Sequence, residues 1–150
     1  MTDKRLVGVR NTTSQTVLAG GQINIGNVYR RYCRKNACGI PTFAVTANGI
    51  TIQQSGIYHI TATAVGSGTV AGVAIIQANE NGVAIPAALS AQTITTATTE
   101  LRTFVLDFYV LVDKDCVLGQ ESVSADTITF TNTGVGATLT AFTVNVEKVV

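Results

Sequence analysis

The sequence predicts an all-β domain, an antiparallel sandwich of about ten strands. Three observations lead there. Short segments rich in Thr, Val and Ile alternate apolar and polar residues with a period of two, which suits half-buried pleated strands. Asn-Gly, Gly-rich and Asp-containing turns break these segments at spacings of about 8–12 residues. No stretch of about ten residues or more carries an apolar stripe at helical spacing. The chain has 150 residues, enough for one domain with its own core, and is 46% hydrophobic but only 13% charged, with 23 threonines.

The elements follow in order. Arg5 to Asn11 alternates and is the first strand, ended by the turn chemistry of Asn11-Thr-Thr-Ser-Gln. Thr16 to Gly21 is a short apolar piece closed by a glycine pair. Gln22-Ile-Asn-Ile-Gly places Ile23 and Ile25 on one face. Asn27 to Arg34 is extended, and Lys35 to Pro41 is an irregular loop, with Pro41 ending regular pairing. Phe43–Thr46 and Ile50–Gln54 form a hairpin across Ala47-Asn48-Gly49, whose Asn-Gly pair accepts the positive φ of a tight turn. Ile57 to Val65 sets Tyr58, Ile60, Ala62 and Ala64 against His59, Thr61 and Thr63.

Val70 to Asn79 and Val83 to Ile85 form a second hairpin across Glu80-Asn81-Gly82, with Pro86 expected to stop it before a new strand from Leu89 to Thr95. Leu101 to Val112 is the longest apolar run. Phe104, Leu106, Phe108, Val110 and Val112 form its core face, leaving Asp107 on the other. Asp113-Lys-Asp115 is expected to turn the chain into a strand near Cys116. Thr127 to Thr131 alternates, Asn132 to Gly136 is a loop, and Thr138 to Val146 is the last strand, with Leu139 on the face opposite Phe142. A single domain over 1–150 is expected, with N-terminal strands and a basic segment over 1–41 and the sandwich proper over 42–150. No repeat of 20–50 residues appears.

The net charge of +1 excludes a chain-wide nucleic-acid footprint. No apolar run approaches the 18 or so residues of a membrane helix. Met1 to Arg5 opens no apolar leader, so synthesis in the cytosol without standard export is expected. A surface this poor in charge favours self-association, and open sheets need their edges covered; a homo-oligomer is therefore expected.

Catalytic chemistry finds no foothold. His59 is the one histidine and has no nucleophile or acid at a working spacing, so no catalytic residue, cofactor or metal is assigned. Its bland reading is an interface or surface strand position; its sharper one is proton sensing at a subunit contact. Cys33, Cys38 and Cys116 make an odd count. Reduced thiols, a local Cys33–Cys38 bridge and a three-cysteine zinc site all remain open, although paired Cys-x-x-Cys spacing is absent. Asp113 and Asp115 offer part of a calcium ligand set or simply a solvated tip. Asp107 needs solvent, an interface or an arginine partner. The best candidate site is the cluster Tyr29, Arg30, Arg31, Tyr32, Arg34 and Lys35, four cations in six positions interleaved with tyrosines. Arg with Tyr is the pairing enriched in protein–protein hot spots, and the cluster is read as a docking loop, with a solvated loop face and phosphate or acidic-sugar binding as the other readings.

From Phe43 onward the order of elements resembles the TNF/C1q-like jelly-roll superfamily. The resemblance rests on Phe43, Gly49 and Gly56-Ile57-Tyr58-His59-Ile60, then Asn79-Glu-Asn-Gly82, the apolar strand Phe104 to Val112, and a last alternating strand into Glu147-Lys148-Val149. It covers roughly residues 5 to 150 and departs around 28–41. It implies a tight homotrimer packed through an aromatic and aliphatic sheet face. The composition is also similar to bacteriophage and prophage virion proteins and to C-terminal domains of collagen-like spore-surface proteins. This chain has no Gly-X-Y region, which favours the virion. The implied role is a non-enzymatic head-fibre or capsid-decoration module, assembled in the bacterial host cytoplasm, contacting other virion proteins and host surface glycans, with no nucleic acid and no membrane. The alternative it leaves is a carbohydrate-binding or adhesion module, at a phage tail or baseplate tip or on a bacterial surface.

Overall fold

The computed structural model describes residues 4–32, 41–117, 120–123 and 125–150. Among them the regular secondary structure is all strand, in thirteen segments. These are β1 (Leu6–Asn11), β2 (Gln15–Val17), β3 (Asn27–Tyr32), β4 (Phe43–Thr46), β5 (Gly49–Ile52), β6 (Gly56–Gly68), β7 (Gly72–Glu80), β8 (Val83–Ile94), β9 (Arg102–Val112), β10 (Lys114–Val117), β11 (Gln120–Val123), β12 (Asp126–Asn132) and β13 (Ala137–Lys148). They form a six-stranded sheet in the order β3-β1-β13-β6-β9, with β2 also on β13, and a five-stranded sheet in the order β4-β5-β12-β7-β8. Every pairing is antiparallel. A separate ribbon joins β10 to β11.

The core lies between the sheets, and period-two alternation builds it. Val7 and Val9, Tyr58, Ile60, Ala62 and Ala64, and the predicted face of β9 are all buried from one side. Phe43, Ile50, Ile52, Ile76, Ile128 and Phe130 are buried from the other. Two edge-to-face aromatic pairs span the layers: Phe43 with Tyr58 at 5.8 Å and Phe130 with Phe142 at 5.3 Å. The Tyr58 hydroxyl, at the bottom of this core, donates to the Gln54 carbonyl at 2.8 Å.

Several local expectations are corrected. Pro86 does not end a strand. β8 runs through it, because the four residues Ile85 to Ala88 bulge opposite the single Ala78, between the pairs Gln77↔Leu89 and Asn79↔Ala84. β8 is an edge strand, where a residue without an N–H is tolerated. Ala87 takes the left-handed conformation (φ 62°) there. The Gln77 amide shares its N–H groups among the Ala78, Ile85 and Ala88 carbonyls at 2.8, 3.0 and 3.2 Å, closing the bulge from within.

Leu139 is buried on the same side as Phe142, not opposite it, because a bulge at Thr140 shifts the register of β13 against β6. The hairpin at Asn81-Gly82 has positive φ at both residues (52° and 81°), as an Asn-Gly turn demands. The first hairpin differs: its loop is Ala47–Asn48, and Gly49 already pairs with Thr46. Lys114 and Asp115 belong to β10 and not to a turn. Ile23 and Ile25 are buried together as the alternation predicts, but outside any strand. Asn132, read as loop chemistry, is 2% exposed and ties the β12–β13 connection to β2 by donating to the Val17 and Val135 carbonyls.

Candidate functional site

Four members of the arginine–tyrosine cluster, Tyr29, Arg30, Arg31 and Tyr32, stand on the edge strand β3 and not on a loop. Arg34 and Lys35 lie outside the described residues, as do Cys33 and Cys38. All six residues of β3 are exposed, so it contributes to the sheet but not to the core. A bulge sets it in place. Arg30 pairs with Gly8 and Val28 with Val9, leaving Tyr29 as the extra residue. The bulge puts Tyr29 and Arg30 on the same outer face of the six-stranded sheet.

Gly8 makes room for this arrangement. A Cβ there would lie 2.9 Å from the Tyr29 ring and from Asn145 Oδ1. The Tyr29 ring therefore packs directly over Gly8 of β1, and its hydroxyl donates to Asn145 Oδ1 at 2.9 Å. The Arg10 and Arg30 guanidinium carbons stand 5.0 and 5.9 Å from the centroid of that ring. Each is within cation–π range. Arg31 points the other way, toward the five-stranded sheet, where its Nη1 reaches the Phe43 carbonyl at 3.4 Å. Beside Tyr32, a depression of about 230 Å³ is lined by Lys4, Arg5, Leu6 and Glu147.

The opposite flank of the same outer face belongs to β9. Its outward residues Val105, Tyr109 and Leu111 are 59%, 60% and 61% exposed, an apolar row unusual for solvent. Asp107 sits among them and meets His59 of β6, not an arginine. The His59 ring also stacks on Tyr109, with centroids 4.7 Å apart and planes at 21°. The histidine is thus held by Asp107 and Tyr109 of β9, and on the other side it stands opposite Glu147 of β13 in the strand register. Neither contact was legible in sequence, because each depends on the β6–β9 register, which pairs His59 with Tyr109 and Thr61 with Asp107.

A third polar feature lies on the five-stranded sheet. Glu80 and Asp126 end neighbouring strands, and the Asn81 amide donates to Asp126 Oδ1 at 2.9 Å. Burial first, then the hydrogen bond and charge of Asp126, push the Glu80 carboxyl up to about 7. A groove of about 380 Å³ beside it is lined by Asn81, Val83, Ala84, Ile85 and Pro86. Near the other end of the sandwich, Glu100 accepts the Thr95 and Thr96 N–H groups at 2.7 and 2.9 Å and pairs with Arg102. The backbone donors hold its carboxyl down at about 2. Among the described residues, no three of His, Cys, Asp and Glu converge as a metal-ligand group.

The two antiparallel layers, with first and last strands side by side in one sheet, define a jelly roll of the TNF/C1q-like type. Solved structures share this fold over nearly the whole chain. The vertex protein P5 of phage PRD1 is 17% identical, with a TM-score of 0.57 and 97% of each chain covered. Murine APRIL is 8% identical, with a TM-score of 0.64, covering 97% of this chain and 99% of that one. The globular domain of zebrafish complement 1qA is 7% identical, with a TM-score of 0.59 and 94% of each chain covered. No family model and no curated protein matches the sequence.

Proposed function

We propose that this chain is a non-enzymatic structural protein of a bacteriophage virion, a homotrimer standing on the particle surface as a head-fibre or capsid-decoration module. The observation that carries the reading is the outer face of the six-stranded sheet. It combines an exposed aromatic and aliphatic row on β9 with an edge strand that has no core side at all. An isolated subunit leaves such a face in water at a cost, and sister copies would cover it. The full-length fold likeness to a phage vertex protein supports the virion as the setting. In this reading Arg31 and the adjoining Arg34 and Lys35 contact the particle.

Light scattering on the purified chain tests the assembly. Three copies of the 15.6 kDa chain are expected, and a monomer at micromolar concentration would defeat the reading. Mass spectrometry of particles purified from a lysed host culture tests the location. Wild-type chain is expected in the particles, and Arg31→Glu combined with Arg34→Glu should remove it while leaving the trimer intact. A glycan array on the isolated trimer separates this role from adhesion.

A further inference from the structure

We infer that the outer face of the six-stranded sheet pairs flank to flank between copies of this chain, the Arg10–Tyr29–Arg30 stack of one copy receiving Asp107 and Tyr109 of the next. The inference rests on the self-assembly proposed above and adds which residues meet. The pairing registers place one continuous row across the sheet: Arg30 beside Gly8, Gly8 beside Asn145, Asn145 beside Thr61, Thr61 beside Asp107. The two ends of that row carry opposite charge, and its middle is small and uncharged.

Each end also carries an exposed aromatic ring, Tyr29 at one and Tyr109 at the other. Among the described residues Arg10 and Arg30 have no carboxylate partner; both guanidinium groups stand by the Tyr29 ring. Covering that flank with apolar surface alone would strand two guanidinium groups, which is costly. A second copy supplies what is missing, since its β9 flank brings an acid set among apolar residues. Asp107 cannot answer Arg30 within one chain. Four strand spacings of about 4.8 Å separate β3 from β9, roughly 19 Å. Among the described residues, His59 meets Asp107, Tyr109 stacks on His59, Glu147 is the register neighbour of His59 on β13, and Arg10 and Arg30 are the cations of the face without a carboxylate partner.

A charge swap tests the pairing. Arg30→Glu and Asp107→Arg are made singly and together, and the assembly of each is measured by light scattering across a dilution series. Each single change is expected to weaken assembly by at least about tenfold. The double change should return it to near the wild-type value, because the reversed charges meet again only between copies. Singles that assemble normally, or a double no better than its weaker single, overturn the inference.

Should Asp107→Arg fail to fold, Arg30→Lys keeps the charge and allows zero-length carbodiimide coupling in a mixture of ¹⁴N and ¹⁵N chains. A mixed-isotope cross-link from position 30 to Asp107 is expected, and its absence overturns the pairing. A wild-type chain that stays monomeric defeats the assembly reading as well. An assembled wild type indifferent to both reversals defeats only the pairing. If the reversals leave the oligomer whole but remove it from particles, the face belongs to another virion protein and self-pairing is wrong.

Discussion

Gly8 and Glu80 show how single residues set local properties of this surface and its edge. Gly8 is occupied from above by the Tyr29 ring, so an added methyl must displace that ring or Asn145. Gly8→Ala should lift Tyr29 from the sheet, break its hydrogen bond to Asn145 and cost about 1–3 kcal/mol of stability, as overpacking does. Thermal melts measure the cost, and tyrosine fluorescence or NMR reports the ring. Glu80 predicts a pH dependence. Its folded carboxyl titrates near 7 against an ordinary 4.5, so at neutral pH the fold keeps a proton that the unfolded chain has shed. That contribution is complete below about 4.5 and disappears as pH rises through about 7. The melting temperature should therefore fall between pH 5 and pH 8, and Glu80→Gln should flatten the fall. A variant with the wild-type slope would place the effect elsewhere.

At the scale of elements, polar side chains hold the irregularities that let two flat layers curve and close. The β8 bulge is the clearest case. Its inward carbonyls at Ile85 and Ala88 depend on the Gln77 amide. Gln77→Ala should cost about 1–3 kcal/mol, the penalty for buried acceptors left without donors. Pro86→Ala, on the outer edge of the same bulge, should shift stability by less than about 0.5 kcal/mol. Urea denaturation of the two variants separates a bulge held by its side-chain staple from one held by proline. The bulge in β3 works differently, aiming two consecutive residues at one face and turning a basic stretch of sequence into an ordered stack around Tyr29.

Over the whole molecule the two layers depend on each other. The Phe43–Tyr58 and Phe130–Phe142 pairs each take one ring from either sheet, so both sheets share one core. Phe130→Ala should cost about 3–5 kcal/mol and still leave a single cooperative transition, with fluorescence and circular dichroism melting together. The first strand pairs with the last, Leu6 with Glu147 through Asn11 with Phe142, so the sheet closes only when most of the chain is in place. Contacts this distant in sequence predict folding in milliseconds to seconds, readable by stopped-flow refolding.

The sequence by itself determined the class of fold, the two-faced alternation of β6, the core face of β9, and the second hairpin. Alternation and turn chemistry are local, and a period of two leaves little choice about which side chains face inward. It also marked the basic stretch whose described members, Tyr29, Arg30, Arg31 and Tyr32, are exposed. It missed the strand through Pro86, the inward turn of Leu139 and the buried role of Asn132, because bulges break the period and their cause lies on a neighbouring strand. Only the tertiary structure decided that His59 meets Asp107 and Tyr109, and that Arg30 and Asp107 close opposite ends of one row. Register across a sheet depends on which strands become neighbours, and in this chain those neighbours are distant in sequence, β6 with β9 and, at the extreme, β1 with β13.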